Sequence, residues 1–308
     1  MKIGIIGTGA MGSIYAARLA RAGHSIFAID QNQEHISAIN ERGLTITGPE
    51  GTFCTRDVIA TSDISMTRDC ALIIIATKLA GVAPVARALS SLMNSNARVL
   101  TIQNGLGSAE ALMQSVPSHR ILLGVAEGFG ASLDHAGQVS HKAMKQIRLG
   151  ALEKETFLGM DDIAQVWRSG GFDVEIFENI EQLIWEKLLC NVTLSGPCTV
   201  FDVNVADLLK TDAQWKIALG AMTEAYQLGL AKGIPFSFDD PVPFVTDFAR
   251  RVGTAKPSML QDHQAQRRSE IHAINGAIAR LGREMGYETP YNTTLSEIIL
   301  AHEAKFKD

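Results

Sequence analysis

Residues 1–30 read MKIGIIGTGAMGSIYAARLARAGHSIFAID, and this stretch decides the fold. Its apolar run at residues 3–6 has the length and composition of a buried strand. A glycine-rich string at residues 7–12 follows directly, an alanine-rich segment continues to Arg21, and a second apolar run precedes Asp30. The order of strand, tight turn, helix and strand predicts a βαβ unit with parallel strands.

The glycine-rich string matches the pattern G-x-G-x-x-G, with the residues Gly7, Thr8, Gly9, Ala10, Met11 and Gly12. Alone, this pattern is a weak signal, and a turn without a cofactor is the alternative. The strand before it, the helix after it and an acidic residue eighteen positions past Gly12 strengthen it. Such glycines permit a tight turn, a close approach of the pyrophosphate and close helix packing. We therefore predict that these six residues bind a nicotinamide dinucleotide.

Asp30 indicates which dinucleotide is bound. A carboxylate at the end of the second strand accepts hydrogen bonds from a ribose 2′-hydroxyl and repels a 2′-phosphate. The next three residues, Gln31, Asn32 and Gln33, are neutral. Asp30 therefore favours NADH, although it is also a residue type that caps a helix beginning near Asn32.

The first half of the chain alternates strand-like and helix-like segments, which is typical of βαβ units. Residues 44–60 contain a Gly-Pro-Glu-Gly turn and predict a hairpin or an excursion off the sheet. Residues 121–149 predict antiparallel strands that close the first domain. The predicted strands are residues 3–6, 25–29, 72–75, 98–102 and 173–177, and the predicted helices are residues 10–21, 32–42, 82–92, 108–114 and 156–169.

After residue 179 the apolar residues recur with a helical period and without strand-like alternation. One long helix is predicted from the apolar stripe of Ile271, Ile274, Ile278, Leu281 and Met285. We predict an α/β protein. Residues 1–178 form a Rossmann-type domain with a doubly wound parallel sheet, and residues 179–308 form an all-helical domain for substrate binding and dimerisation.

Composition excludes several classes of protein. The net charge of −5 and the lack of a Lys/Arg block argue against nucleic-acid binding. The apolar runs are too short to span a membrane, and no signal-peptide pattern follows Met1, so we expect a cytoplasmic protein. The four cysteines show no metal-ligand spacing, so no metal site is expected. We expect the four thiols to be reduced.

Two polar residues follow predicted strands at their carboxyl ends, where α/β sheets bind ligands. Lys78 follows residues 72–77, and Asn104 follows residues 99–103. Either side chain is a candidate for contact with the cofactor or the substrate. An ordinary polar loop residue is the alternative for both.

Lys187 and Asn191 lie four residues apart on a helical stripe that is otherwise apolar. Desolvation lowers the pKa of a lysine, and a lysine so placed is suited to give a proton to a carbonyl oxygen. The alternative is a lysine that extends from the edge of the stripe to solvent.

Two further polar residues lie twelve positions apart. Ser258 begins an S-x-x-Q pattern, so it is a candidate N-cap of a helix as well as a candidate ligand. Glu270 directly precedes the apolar stripe.

Over nearly its whole length the chain resembles the ketopantoate reductases, also called 2-dehydropantoate 2-reductases. The resemblance rests on the glycine motif, on Thr77-Lys78 and on the segments Asn-Gly-Leu-Gly at 104–107, Trp-Glu-Lys-Leu-Leu-Cys-Asn at 185–191, Pro-Ser-Met-Leu-Gln-Asp at 257–262 and Glu-Ile-His-Ala-Ile-Asn-Gly at 270–276. It implies NADPH as cofactor and reduction of 2-dehydropantoate to pantoate in pantothenate biosynthesis. The helical second half offers surface for a dimer, so a homodimer is expected.

The resemblance also implies roles for individual residues. Lys187 would be the general acid, Glu270 would support the lysine and the substrate, and Asn191, Ser258 and Asn104 would bind the substrate. Lys78 and Asn104 would order the nicotinamide side. A continuous helix would hold Ser258 and Glu270 roughly 18 Å apart. A helix break is therefore expected near residues 262–267.

The sequence departs from the family pattern at several positions. Family members usually carry a basic residue near Asp30-Gln31, and asparagines where this chain has Ser195, Val205 and Ala255. These changes predict a less polar pocket and favour an NADH-dependent D-2-hydroxyacid dehydrogenase acting on apolar 2-oxo acids. A β-hydroxyacid dehydrogenase and a non-catalytic NAD-sensing regulator are the remaining alternatives.

Overall fold

The chain divides into two compact units in the computed structural model, which describes residues 1–128, 130–143, 146–153, 156 and 159–306. The first unit is Met1–Gln103 with Ser108–Ile180, and the second is Asn104–Gly107 with Glu181–Asp308. A loop from the N-terminal half therefore groups with the helical residues.

The first unit contains strands and helices in alternation. Its helices are α1 (Ala10–Arg21), α2 (Gln33–Arg42), α3 (Leu79–Ser90), α4 (Ser108–Met113) and α5 (Met160–Ser169). Its strands are β1 (Lys2–Ile6), β2 (Ser25–Ile29), β3 (Leu44–Gly48), β4 (Gly51–Thr55), β5 (Val58–Thr61), β6 (Leu72–Ile75), β7 (Arg98–Thr101), β8 (Ile121–Glu127), β9 (Gly130–His135), β10 (Gln138–Ala143), β11 (Gln146–Ala151) and β12 (Val174–Ile176).

Within the described ranges the main sheet has eight strands in the order β12, β11, β8, β7, β6, β1, β2, β5. Neighbouring strands are parallel except β8 and β11, which are antiparallel. The strand order reverses at β1, which pairs with β2 on one side and β6 on the other. The predicted α/β class is confirmed, and ligands are expected at the carboxyl end of β1.

A smaller sheet contains β4, β3, β10 and β9 in that order, and α1 packs against this sheet as well as against β1 and β2. The predicted hairpin is β3 with β4. The predicted excursion at residues 44–60 is too long, because β5 pairs with β2 in the main sheet and buries Val58 and Ala60. The predicted antiparallel region includes residues 129, 144 and 145, and the predicted helix at residues 156–169 includes residues 157 and 158, all outside the described residues.

The described residues of the second unit after Ile180 contain helices joined by turns and no strand, which confirms the predicted helical character of this region. Its helices are α6 (Ile180–Phe201), α7 (Val205–Lys210), α8 (Asp212–Ala231), α9 (Pro241–Val252), α10 (Ser258–Gln264), α11 (Asn275–Met285) and α12 (Pro290–Glu303). No helix among the described residues combines the length and apolar character that crossing a bilayer requires.

The helix predicted to begin near Ile271 begins at Asn275 instead. Residues Ile271–Ala273 form a 3-10 turn, and Ile274 has φ −108° and ψ −103°, which are not helical angles. The carbonyl of Ala273 accepts a hydrogen bond of 2.9 Å from the N–H of Leu106. A contact with a distant loop therefore replaces the helix turn that the apolar periodicity predicted.

The expected break after Ser258 is confirmed. Helix α10 ends at Gln264, and Gln266 has a left-handed φ of +53°. The N–H of Arg267 donates to the carbonyl of Asp262 at 2.8 Å, which closes the turn. Glu270 therefore lies beyond a reversal of the chain and not on the same helix as Ser258.

Candidate active site

Lys187 lies on α6 and is half-buried. Its Nζ donates a hydrogen bond of 2.8 Å to Oδ1 of Asn104. Both residues belong to the second unit, although 83 positions separate them in the sequence. Two residues that were separate candidates in the sequence therefore form one polar pair.

The face of α6 that carries Lys187 is its more accessible face. Leu183, Ile184, Lys187 and Asn191 are only partly buried, whereas the helix is buried on all sides from Val192 to Thr199. The predicted stripe of α6 that carries Lys187 and Asn191 is therefore not the face that packs into the core. Apolar side chains (Leu183 and Ile184) and polar side chains (Lys187 and Asn191) both lie on this accessible face, which suits contact with a ligand that has both kinds of group.

Gly105 and Leu106 position Asn104. Gly105 has φ +82°, and a Cβ there would lie 2.1 Å from the carbonyl oxygen of Ala273. The N–H of Leu106 donates to that same oxygen. The loop is thus held against the 3-10 turn that directly follows Glu270, and only glycine fits at this contact.

Glu303 holds the residue next to Glu270. Its Oε1 accepts hydrogen bonds from the N–H of Ser269 at 2.8 Å, from the Ser269 hydroxyl at 2.6 Å and from His263 Nε2 at 3.1 Å. Burial alone raises the pKa of Glu303, but the hydrogen bonds from Ser269 and His263 outweigh burial, so the net pKa is below its usual range. This buried carboxylate fixes the backbone that carries the half-buried Glu270.

The capping role considered for Ser258 is wrong. Pro257 is the N-cap of α10, and no side chain caps it. Gln261 donates to the carbonyl of Lys256 at 2.7 Å, which replaces the expected capping box. Ser258 is an exposed first-turn residue, and Asn191 is half-buried on α6.

The glycine motif forms the turn between β1 and α1. Gly7 has φ +89°, and a Cβ there would lie 2.6 Å from the backbone nitrogen of Thr77. A Cβ on Gly12 would lie 2.1 Å from the carbonyl oxygen of Gly7, whereas one on Gly9 would meet no atom within 4 Å. Gly7 and Gly12 are required by packing, and Gly9 leaves open space at the N-terminus of α1, a kind of position at which phosphate groups bind in proteins. Ala10 and Met11 form the first turn of this helix.

Asp30 lies directly after β2, and its carboxylate is held at two points. Oδ2 accepts from the Thr8 hydroxyl at 3.4 Å, and Oδ1 accepts from the N–H of Asn32 at 3.0 Å. The capping role considered for Asp30 is wrong, because Asn32 is the N-cap of α2 and accepts from the N–H of His35. The carboxylate is therefore fixed beside the glycine turn, as binding of a ribose hydroxyl requires.

Lys78 is the exposed N-cap residue of α3 and follows the carboxyl end of β6. The role of the neighbouring Gln103 is not among the predictions from sequence. Its amide donates to the carbonyls of Ile75 at 2.7 Å and Thr77 at 3.0 Å, and it also accepts from the Thr101 hydroxyl. It ties the ends of β6 and β7 together, and no sequence motif marks it.

Comparison with known proteins assigns both parts of the chain to one family. The family described as "Ketopantoate reductase PanE/ApbA" matches residues 3–154, and its C-terminal counterpart matches residues 179–303. A 2-dehydropantoate 2-reductase of Streptococcus pyogenes is 27% identical over 305 residues, which cover 99% of this chain and 98% of that protein.

Solved structures agree with this assignment. A PanE/ApbA family ketopantoate reductase from Ralstonia eutropha superposes with a TM-score of 0.91 at 25% identity and covers 100% of both chains. A D-mandelate dehydrogenase in a ternary structure with NADH and anilino(oxo)acetate has a TM-score of 0.89 at 29% identity and covers 99% of both chains. This chain therefore belongs to the ketopantoate reductase family of NAD(P)H-dependent oxidoreductases.

Proposed function

We propose that this protein uses NADH to reduce a branched or bulky 2-oxo acid at C2, with Lys187 as the proton donor. The hydrogen bond from Lys187 to Asn104 is the observation that carries the proposal. It fixes an ammonium group, which carries three N–H donors, on the accessible face of α6. General acids need this kind of positioning to protonate a carbonyl oxygen as charge develops on it.

The bound dinucleotide would supply a hydride, that is, two electrons and one hydrogen nucleus. In the proposed step C2 of the 2-oxo acid accepts this hydride, and the electron pair of the C=O π bond moves to oxygen. That oxygen takes a proton from Lys187, which leaves a 2-hydroxy acid and a neutral amine. Water then returns a proton to Lys187. Glu270, Asn191 and Ser258 are proposed to bind the polar groups of the substrate.

The preference for NADH rests on Asp30. Its carboxylate is held by Thr8 and Asn32 beside the turn that carries Gly9. A negative charge in that position attracts a ribose 2′-hydroxyl and repels a 2′-phosphate. Gly7, Gly9, Gly12, Ala10 and Met11 are proposed to surround the pyrophosphate, with Lys78 and Asn104 on the nicotinamide side.

Two substrates remain candidates for the same chemistry. The family reaction is reduction of 2-dehydropantoate. The second candidate is an apolar 2-oxo acid, as in a D-2-hydroxyacid dehydrogenase, and two observations favour it. Ser195 and Val205 are buried and have less hydrogen-bonding capacity than asparagine, and the N–H of Val205 is already bonded to the carbonyl of Ala255 at 3.1 Å. A site that must bind a substrate hydroxyl needs placed polar partners, of which these residues supply few.

Initial rates test the proposal. NADH and NADPH are each assayed against 2-dehydropantoate, 2-oxoisovalerate and benzoylformate, with loss of absorbance at 340 nm as the readout. For the best of these three 2-oxo acids, we expect a higher kcat/KM with NADH than with NADPH. A strong preference for NADPH would contradict the role of Asp30. Oxidation of 3-hydroxy acids by NAD⁺ or NADP⁺, without reduction of any 2-oxo acid, would indicate a β-hydroxyacid dehydrogenase. NADH binding without any turnover would indicate a sensor.

A further inference from the structure

Five residues of the first unit form a closed circuit of hydrogen bonds, the His35 circuit. Its members are Thr8, Ser13, Asp30, Asn32 and His35. The Thr8 hydroxyl donates to Asp30, and the N–H of Asn32 donates to the same carboxylate. Asn32 Oδ1 accepts from the backbone N–H of His35, so the circuit continues into helix α2.

The His35 ring closes the circuit on the glycine turn. Its Nε2 lies 3.1 Å from Ser13 Oγ, and that hydroxyl donates to the carbonyl of Thr8 at 2.7 Å. The hydrogen of Ser13 is thus committed to Thr8, so Ser13 must accept from His35. Every bond of the circuit therefore has a defined donor.

A contact from the smaller sheet fixes the tautomer of His35. The N–H of Gly137, in the turn between β9 and β10, donates to Nδ1 at 3.0 Å. Because Nδ1 accepts, the ring proton is on Nε2, as the bond to Ser13 requires. His35 is 1% exposed and Ser13 is 0% exposed, so water cannot replace either partner.

We propose that His35 is a positioning residue for dinucleotide binding, which holds the Thr8 backbone and the Asp30 carboxylate in the arrangement that an adenosine ribose and its pyrophosphate require. Thr8 lies between Gly7 and Gly9 in the turn, and Asp30 is the predicted ribose ligand. The circuit joins these two cofactor contacts to each other. The inference rests on the dinucleotide chemistry of the family and on the proposed role of Asp30.

The test measures cofactor binding without substrate. NADH and NADPH are titrated into the protein and followed by fluorescence, for the wild type, His35→Leu and Ser13→Ala. His35→Leu removes both ring hydrogen bonds, and Ser13→Ala removes the donor to Thr8 while leaving His35 and Gly137 in place. We expect Kd for the preferred dinucleotide to rise about tenfold or more in both variants, and kcat at saturating cofactor to stay within about twofold.

Asn40→Ala is the matched control. Asn40 lies on the same helix and makes two hydrogen bonds with the backbone of Ala60, at 2.8 and 3.0 Å, outside the His35 circuit. The Asn40→Ala variant should have a lower Tm than wild type and an unchanged Kd for the dinucleotide. His35→Gln, whose amide nitrogen can still donate to Ser13, should restore most of the affinity that His35→Leu loses.

Three results would overturn the inference. One is a Kd within about twofold of wild type in both Ser13→Ala and a folded His35→Leu variant. The second is an Nδ1–H tautomer or a charged ring in the ¹⁵N histidine spectrum at pH 7.5, which remains decisive if His35→Leu does not fold. The third is a wild-type protein that binds neither dinucleotide. Lack of turnover with normal NADH binding would count against the proposed reaction and not against the positioning role of His35.

Discussion

The ammonium of Lys187 lies 2.8 Å from Oδ1 of Asn104, across 83 positions of sequence. Asn104 reaches this place because Gly105 packs against the carbonyl of Ala273. An amide oxygen accepts a hydrogen bond from an ammonium group without adding a charge beside it. Asn104 is therefore the position at which the electrostatics of Lys187 can be changed without removing the lysine.

Asn104→Asp should move the alkaline limb of the pH profile of kcat to higher pH. A carboxylate next to the lysine favours its charged form and so raises its pKa. The measurement is kcat against pH at saturating NADH and substrate. Asn96→Asp, at an exposed loop position, is the control and should leave the profile unchanged. An identical pH profile for Asn104→Asp and wild type would mean that residue 104 does not influence the group that gives the proton.

Gly105→Ala should destabilise the protein and reduce kcat. Gly105 has φ +82° and no room for a Cβ, whereas Gly233 has φ +78° and open space around the Cβ position. Gly233→Ala therefore measures the cost of the backbone angle alone, about 1 kcal/mol. We expect Gly105→Ala to lower the free energy of unfolding by clearly more, since its Cβ also collides with Ala273. Equal losses in urea denaturation would show that the close contact is unimportant.

The sequence was sufficient for the βαβ unit because its signals are local. The strands at residues 25–29 and 72–75 and helix α1 have the predicted bounds, since apolar runs, glycines and helix formers lie next to each other in the chain. The same holds for the change to helices after residue 179. These features depend on neighbours in sequence, which periodicity reports directly.

The errors arise where distant residues decide the local structure. The turn at Ile271–Ala273 replaces a helix because Leu106 bonds to the carbonyl of Ala273. The pair of Lys187 and Asn104, and the roles of His35, Gln103 and Glu303, also depend on contacts between distant segments. Residue type at a single position gives no signal for such contacts, so the sequence could name candidates but not their partners.

Glu303→Leu should lower kcat/KM for the 2-oxo acid about tenfold and leave the Kd for NADH unchanged. Its carboxylate holds Ser269, next to Glu270, through two hydrogen bonds. Leucine leaves the part-buried N–H of Ser269 without this partner. The exposed Glu297 lies on the same helix, and Glu297→Leu is the control. Equal catalytic efficiency of the Glu303→Leu variant and wild type would exclude a positioning role.

Stability should fall as the pH is lowered below about 6.5. Burial lowers the pKa of His35 below its ordinary value of 6.5, against the opposing effects of Asp30 and the Thr8 backbone. The unfolded chain therefore takes up a proton at a pH where the folded protein does not. The stability that neutral His35 contributes is fully present above pH 6.5. It is lost as the pH falls from 6.5 toward the pKa of His35 in the folded protein, which is the lower of the two.

Urea denaturation at pH 7.5 and 5.5 measures this effect. His35→Gln should lose less stability than wild type between the two values, because glutamine does not titrate. The lowered pKa values of His24 and His141 act in the same direction in both proteins. His135→Gln, at an exposed position, is the control. Equal pH dependence of wild type and His35→Gln would mean that His35 is not a buried neutral histidine.

The kcat of Lys187→Met at saturating NADH and 2-oxo acid tests whether Lys187 gives the proton. Loss of a positioned general acid should lower kcat by about 10²–10⁴-fold, while the Kd for NADH stays at the wild-type value. Lys210→Met, which removes an exposed ammonium paired with Asp207, should behave as wild type. A kcat for Lys187→Met within a few-fold of wild type would show that another group gives the proton.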